Sequence, residues 1–286
     1  MIPSLPRSVA ERAGLNGYLL AFLLFLFVPL VVVAVFAFNN APYPTPPWQG
    51  FTLDWFVADN DERVGLLFDT ELLGSLATSA WVALWVTLLS VGVGTCNAFL
   101  LERFEFPGKQ AVALLAMLPL VIPGVILGIS ILAFASRIAN FVYDTWEIEL
   151  EFLRPGLPLV ILGQFCYIVT IATLTISASL RRFDRTLEEA ALNLGASRMA
   201  VLWTITLPYL RPSMIGAGAM AFLMSFENFN TTLMLVGSDS PLTVLMYSRM
   251  REGATPVLNA VSLLLMVASA VLALLLLWRR GKQPPP

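Results

Sequence analysis

The sequence predicts an all-helical membrane protein with six transmembrane helices. Hydrophobic residues make up 58% of the 286 residues and charged residues only 13%, and the mean hydropathy is +0.79. Soluble domains carry about a quarter charged residues. Apolar stretches of about 20 residues, long enough to cross a bilayer as a helix, recur along the chain. Basic residues concentrate in alternate connecting segments, as in proteins that cross a membrane several times.

Six spans are predicted in order from these apolar stretches, within one transmembrane domain at 17–280. They cover about residues 17–38, 73–100, 110–134, 156–180, 208–236 and 257–278. Basic residues before the first span are typical of a secretory signal, but the apolar run is too long and no small-residue cleavage site follows. We therefore predict a retained helix, preceded by a cytoplasmic segment at 1–16. Residues 281–286 are predicted to be a disordered tail.

The orientation follows from the basic residues, which accumulate in short cytoplasmic loops. If the N-terminus is cytoplasmic, 12 of the 17 basic residues lie on the inner side. These are Arg7, Arg12, Arg103, Lys109, Arg181, Arg182, Arg185, Arg198, Arg211, Arg279, Arg280 and Lys282. Both termini are therefore predicted to face the cytoplasm.

Composition also limits the chemistry. Histidine is absent, which argues against most hydrolytic mechanisms and against zinc sites. Cys96 and Cys166 lie far apart within apolar stretches, and we interpret them as packing residues. The net charge of −2 and the lack of a basic patch argue against a nucleic-acid partner. No metal or cofactor is predicted to bind this chain.

Two long outer segments, 39–72 and 135–155, carry aromatic side chains that include Trp48, Phe51, Trp55 and Trp146. We expect both segments to fold against the membrane surface. The aromatic residues fit an interfacial belt, and contact with an external partner is the alternative.

The cytoplasmic segment 181–207 is the most informative part of the chain. Thr186 followed by Glu189 fits a capping box, which predicts a short helix that begins near Leu187. Two small residues and then Gly195, which permits a bend, follow this start. Pro208 is well placed in the first turn of the fifth span.

This segment resembles the "EAA" loop of the permease subunits of bacterial ABC importers. The matching residues are Glu189, Ala190, Ala191, Gly195, Ile205, Leu207 and Pro208. In that family the loop docks into a groove on the ATPase. The resemblance implies that the first four of these residues form the contact and that Pro208 fixes the return into the membrane. The alternative for Glu189 alone is that it only caps its helix.

The resemblance also implies a type I ABC-importer permease fold in the bacterial inner membrane. No G-x-x-x-x-G-K-[ST] loop occurs, because Gly108-Lys109 and Gly281-Lys282 lack its other residues. ATP and Mg would therefore bind to a partner. The partners implied are a second, homologous permease chain, two copies of an ATP-binding subunit, an extracytoplasmic solute-binding protein and membrane lipids.

Glu227 is the one acid deep within an apolar span, and charged residues there usually face a cavity. On a continuous helix, Glu227 would share one face with Asn230 and Thr231. The candidate substrate-pathway residues are Phe226, Glu227, Asn228, Phe229 and Asn230. The aromatic rings could hold a cation by cation-π contact. The alternative for Glu227 is a hydrogen bond that steadies a neighbouring helix.

The third span carries Pro119 and Pro123 one helical turn apart, followed by Gly124 and Gly128. The helix is predicted to kink or break there. A gate formed by Pro119, Pro123 and Gly124 is one interpretation. Close helix packing through Gly124 and Gly128 is the other.

Along nearly the whole chain the sequence is similar to the second permease of spermidine/putrescine importers. The similar pieces are FNNAPY, WQGFTLDWF, FENFN and PLTVLMYSRMREGATPVLNA. One departure is Gly124, because polyamine permeases often carry an acid directly after this proline. Importers of ferric iron, thiamine, opines or phosphonates stay open as alternatives, and an ATPase-independent carrier or channel is a further one.

Overall fold

The computed structural model describes residues 9–60, 63–253 and 255–280 and is built almost entirely of helices. The described helices are α1 (Val9–Phe36), α2 (Asp54–Val57), α3 (Thr70–Arg103), α4 (Lys109–Val121), α5 (Gly124–Trp146), α6 (Leu157–Arg181), α7 (Thr186–Asn193), α8 (Arg198–Val201), α9 (Leu207–Phe226), α10 (Asn230–Leu235), α11 (Leu242–Gly253) and α12 (Val257–Arg280). A short 3-10 turn covers Glu151–Leu153, and a π-helical turn covers Leu202–Thr206. The strands β1 (Asp59–Asn60) and β2 (Arg63–Val64) pair antiparallel.

The chain divides into two compact units, Met1–Leu73 with Ser248–Pro286, and Gly74–Tyr247. In the first unit α1 packs on α12. The segment after α1 is organised around the fully buried Asn39. The Asn39 side chain donates to Pro47 O and accepts from Gln49 N, while Trp55 Nε1 donates to Asn39 O at 2.8 Å.

These contacts correct part of the interpretation of the outer aromatic residues. Trp55 is buried and anchors the segment, whereas Trp48, Phe51 and Trp146 are exposed. An interfacial belt is therefore a hypothesis for those three residues only.

In the second unit α6 is the central helix, and it packs against α4, α5, α9 and α10. One apolar cluster includes Leu159, Ile168 and Leu235. Another, towards the opposite end of α6, includes Ile176 and Leu210. This arrangement places the two interrupted spans, α4 with α5 and α9 with α10, against one helix.

Four helices in the described part of the chain are long and apolar enough to cross a bilayer: α1, α3, α5 and α6. The first, second and fourth predicted spans correspond to α1, α3 and α6, although α1 begins at Val9 and not near residue 17. The sixth corresponds to α12. The predicted tail 281–286 and residues 1–8 lie outside the described residues.

The third predicted span, 110–134, is divided in two, and the predicted break was confirmed. Helix α4 ends at Val121, and α5 begins at Gly124 and continues to Trp146. The ring of Pro123 disfavours a helical conformation of the preceding residue, and Ile122 is extended with φ −78° and ψ 128°. The outer segment predicted at 135–155 is consequently helical as far as Trp146.

The prediction of one continuous fifth helix at 208–236 was wrong. Helix α9 ends at Phe226, and α10 begins only at Asn230. The interpretation of Cys96 and Cys166 as packing residues was wrong too, because both thiols are exposed on this chain.

Candidate functional site

The loop at 181–207 folds as two short helices joined at a glycine. Helix α7 ends at Asn193, and Gly195 has φ +90°, the left-handed conformation that glycine adopts at helix ends without strain. The N–H groups of Gly195 and Ala196 donate to Leu192 O and Ala191 O and satisfy carbonyls of the last turn. Nothing lies within 4 Å of the position that a Cβ of Gly195 would occupy. The predicted bend at Gly195 is therefore present, and it results from the left-handed backbone conformation of this residue.

The predicted capping box is absent, which corrects the interpretation of Thr186 and of Glu189 as a cap. Helix α7 begins at Thr186 without a side-chain cap from its first flanking residue. Asp184 Oδ1 instead accepts from Thr186 N at 3.0 Å. Hydrogen bonds from the backbone and side chain of Thr186 lower the pKa of Asp184. Helix α7 therefore begins at Thr186, one residue earlier than a capping box with Thr186 as the cap would give. The alternative that Glu189 only caps this helix does not apply.

The four residues expected to contact the ATPase lie on the surface of the loop. Glu189, Ala190 and Gly195 are exposed and Ala191 is half-buried. They are accompanied by exposed apolar side chains that sequence reasoning did not single out: Leu187, Leu192, Leu194, Met199 and Trp203. Leu194 is 90% exposed. An apolar surface of this kind is typical of a docking site.

The remaining residues of the motif connect the loop to α9. Ile205 lies in the π-helical turn and packs against the apolar cluster around Ile176 and Leu210. Leu207 begins α9, and Pro208 follows in its first turn, where the missing N–H removes no helical bond. Pro208 therefore lies near the start of α9, and its role in the return of the chain into the membrane stays a prediction.

Glu227 lies at the interruption between α9 and α10. Its N–H closes the last turn of α9 on Leu223 O, and its side chain is exposed. Its carboxylate makes no hydrogen bond or ion pair with the described residues. The half-buried ring of Phe226 stacks on Phe222 at 6.0 Å. The ring of Phe229 contacts the ring of Tyr247, with 4.9 Å between the ring centroids.

The expectation that Glu227, Asn230 and Thr231 share one helix face was wrong, because the helix is interrupted between them. Asn230 begins α10 and is exposed, whereas Thr231 is fully buried. The two residues face different surroundings. The exposed groups at the break are therefore Glu227 and Asn230.

Asn228 belongs to a buried polar network that sequence reasoning missed. Asn228 Nδ2 donates to Tyr167 Oη at 2.6 Å, and Asn228 Oδ1 accepts from the N–H and the hydroxyl of Thr232. Gln164 Nε2 donates to Thr232 Oγ1 at 2.8 Å, and Gln164 Oε1 accepts from Ser225 Oγ. The network joins α6 to both sides of the break.

The network satisfies groups that a bilayer cannot satisfy. An interrupted helix exposes backbone polar groups, which must find partners within the protein at membrane depth. The signal in the sequence was Gln164 with Tyr167 three residues later, on one face of an otherwise apolar helix.

The break in the third span packs directly on the break in the fifth. A Cβ on Gly124 would lie 3.2 Å from Asn230 Cβ, and Thr231 Oγ1 donates to Gly124 O at 3.3 Å. A Cβ on Gly128 would lie 2.9 Å from Met234 Cβ. The two glycines therefore allow α5 to approach α10, which supports the packing interpretation.

Pro119 lies inside α4 without ending it. Thr170 Oγ1 donates to Ala116 O at 2.6 Å and supplies an additional partner to a carbonyl in the turn before Pro119. A gate at Pro119, Pro123 and Gly124 stays a hypothesis.

Comparisons with known proteins agree with this geometry. Residues 91–280 match the family "Binding-protein-dependent transport system inner membrane component". The chain is 28% identical over 249 residues to the putrescine transport system permease protein PotI of Escherichia coli K12, covering 86% of this chain and 83% of the relative. It is 28% identical over 262 residues to the spermidine/putrescine transport system permease protein PotC of Haemophilus influenzae, covering 91% and 93%.

The fold is also found among solved structures. A chain of a bacterial ABC transporter involved in the import of the acidic polysaccharide alginate matches with a TM-score of 0.73 and 19% identity, over 96% of each chain. At this identity the likeness concerns the fold alone. Because the matched family covers most of the chain, from the second half of α3 to the end of α12, this protein belongs to the binding-protein-dependent inner membrane components, the permease subunits of ABC importers.

Proposed function

We propose that this chain forms half of the transmembrane pathway of an importer for a small cationic solute of the polyamine class. The observation that carries the proposal is Glu227, an exposed carboxylate at a helix break, without a hydrogen bond or ion pair from the described residues. A charge at membrane depth is costly unless it faces a cavity or a partner. A passing ammonium group would offset that cost.

The surroundings of Glu227 fit a cation. Phe226 and Phe229 lie close to it in the sequence and are half-buried, and aromatic faces attract ammonium groups. Asn230 adds an exposed amide at the start of α10. We assign Asn228 to support of the break, because its side-chain amide is already engaged.

The relatives support the same class of solute. PotI carries the name of a putrescine permease, and PotC that of a spermidine/putrescine permease. Gly124 occupies the position where polyamine permeases often carry an acid, and α10 packs against it. A smaller or less charged amine than spermidine therefore fits this half of the pathway better.

Transport would be driven by a partner at the loop of α7 and α8. We propose that Glu189, Ala190, Ala191 and Gly195, with the exposed apolar side chains around them, dock into an ATP-binding subunit that holds ATP and Mg. The assembly would contain two copies of that subunit, a second permease chain and an external solute-binding protein. Six spans, with α4–α5 and α9–α10 as interrupted ones, and both termini in the cytoplasm complete the proposed topology.

The test is uptake of labelled putrescine by the complete complex in liposomes, with the Glu227→Gln variant against wild type. We expect uptake to fall about tenfold or more, the size expected for loss of a charged contact, while all subunits still co-purify. Glu147→Gln, an exposed acid at the end of α5, is the matched control and should transport normally. Full uptake by Glu227→Gln would contradict the proposal.

A further inference from the structure

Two neighbouring glutamates in α7 have different surroundings. Glu189 is exposed and belongs to the surface proposed to dock on the ATP-binding subunit. The Glu188 side chain is only 22% exposed and contacts two other elements of this chain. Sequence reasoning singled out Glu189 alone, because the motif contains only that residue.

Glu188 Oε1 accepts two hydrogen bonds from two different helical elements. Arg103 Nη2, at the end of α3, donates to it at 2.9 Å. Thr206 Oγ1, at the end of the π-helical turn, donates to the same oxygen at 2.6 Å. Hydrogen bonds to an ionised group are the stronger ones, and more so where water is largely excluded. Thr206 is 1% exposed and the Arg103 side chain 15% exposed, so these bonds are largely shielded from water.

An aromatic pair extends the same contact. The Arg103 guanidinium lies over the ring of Phe183, 5.5 Å from the ring centroid, a distance typical of a cation-π contact. Phe183 is buried and meets Tyr209 of α9 edge-on at 4.9 Å. The ring of Phe183, just before α7, therefore joins the end of α3 to the start of α9, while Glu188 of α7 joins the end of α3 to the π-helical turn.

Helix α7 has eight residues and is too short to be stable alone. Its position depends on contacts with the rest of the chain, and Arg185 Nη2 adds one to Glu102 O at the end of α3. The π-helical turn that contains Thr206 leads without interruption into α9. Such turns are common at functional sites.

We propose that Glu188 is the positioning residue through which movement of α7 is passed to α3 and α9. Displacement of α7 by the ATP-binding subunit pulls on Arg103 and Thr206 through one carboxylate oxygen, so α3 and α9 move with it. The inference rests on the proposed coupling function of the loop. It assigns a second, inward-facing role to the residue beside the motif.

The experiment follows ATP-driven movement at the helix break with a reporter that needs no solute. The complete complex carries Asn230→Cys, with the exposed Cys96 and Cys166 changed to Ala, and the rate of maleimide labelling is measured with and without ATP plus vanadate. In Glu188→Gln we expect the ATP-dependent change in rate to shrink about tenfold, the size expected for loss of a charged hydrogen bond. ATP-binding subunits should stay bound and ATP hydrolysis should continue.

The matched control is Glu105→Gln, which removes an ion pair with Lys109 just beyond the end of α3. The Glu105 side chain is 89% exposed. It should respond to ATP as wild type does. A normal response in Glu188→Gln, an equal loss in Glu105→Gln, or loss of the ATP-binding subunits from a folded Glu188→Gln chain would each overturn the inference.

If Glu188→Gln does not reach the membrane, the same measurement is made on Thr206→Val. This change keeps the shape of the side chain and removes the hydroxyl that donates to Glu188. A reduced ATP response supports the inference, and a full response overturns it. If the labelling rate does not change with ATP in the complex that keeps Glu188, the result would contradict the proposed coupling function instead. The two failures can therefore be told apart.

Discussion

Asp69 and Arg249 form an ion pair through two hydrogen bonds, although they lie 180 residues apart in the sequence. Arg249 Nη2 donates to Asp69 Oδ1 at 2.9 Å, and Arg249 Nη1 donates to Asp69 Oδ2. The same Nη2 donates to Glu71 Oε2 at 2.6 Å. The pair fixes the start of α3 to the end of α11 within one compact unit. Paired bonds of this kind add geometric specificity that a single surface ion pair lacks.

The first prediction concerns the stability of this pair. Asp69→Asn removes the charge while Arg249 stays partly buried, so we expect the complex to lose about 1–2 kcal/mol of stability at pH 7. Thermal unfolding of the purified complex in detergent measures it. Asp144→Asn, an exposed acid near the end of α5, is the control and should unfold at the wild-type temperature.

The pH dependence of the same pair has a defined sign. Burial raises the pKa of Asp69, but hydrogen bonds from Arg249 and from the backbone outweigh it, so the folded pKa lies below the ordinary 3.8. The contribution is therefore complete above the unfolded pKa of about 3.8 and is lost as the pH falls through the lower, folded pKa. The hydrogen bonds that Arg249 donates to Asp69 raise the pKa of Arg249, which stays charged near neutrality. The difference in the free energy of unfolding between wild type and Asp69→Asn should stay constant from pH 5 to 8 and become smaller below about pH 4. A decrease of this difference between pH 5 and 8 would contradict the assignment.

The second prediction separates two glycines in transmembrane helices. In Gly128→Ala the new Cβ would lie 2.9 Å from Met234 Cβ, so α5 and α10 must move apart, at a cost of about 1–3 kcal/mol. Gly92→Ala, in α3, meets nothing within 4 Å in this chain and gains helix propensity. Thermal unfolding should show a lower transition temperature for Gly128→Ala and an unchanged or higher one for Gly92→Ala. Equal effects of the two changes would argue against close packing at Gly128.

The helical architecture could be predicted from the sequence because long apolar runs have few alternatives in a bilayer. The break at Pro123 was predictable too, since proline acts on its immediate neighbour. The motif around Glu189 was found from residue types and spacing that resemble a known loop, and the bend at Gly195 was predicted from the conformational freedom of glycine.

What could not be predicted depended on contacts between distant residues. The break after Phe226 contains no proline, and it is held by Asn228, Tyr167 and Gln164, of which the last two lie in another helix. Glu188 differs from Glu189 only in the partners it meets, and Arg103 is 85 residues away. The capping box failed for the opposite reason, because Asp184 offered a competing local acceptor at 3.0 Å.

The third prediction distinguishes support of the break from contact with solute. Asn228→Ala leaves Tyr167 Oη and the groups of Thr232 without their partner in a buried setting, so we expect a loss of about 1–3 kcal/mol. Asn230→Ala removes an exposed amide and should leave stability unchanged while putrescine uptake falls. Unfolding and uptake are measured on both variants of the complete complex. If Asn228→Ala were as stable as wild type, the network would not hold the break.

The fourth prediction tests why glycine stands at position 195. Its φ of +90° costs a residue with a Cβ about 1–2 kcal/mol, although space is free around it. Gly195→Ala should therefore shift the joint between α7 and α8 and weaken binding of the ATP-binding subunit about tenfold, the ratio that corresponds to about 1.4 kcal/mol. Gly195→Asn is the matched control, because asparagine tolerates the left-handed conformation and adds a larger side chain. Binding is measured by titrating the purified permease pair with the ATP-binding subunit. If asparagine weakens binding as much as alanine does, side-chain size matters at this position and backbone conformation does not; if asparagine binds normally, the left-handed joint is what presents Glu189 and Leu194 to the partner.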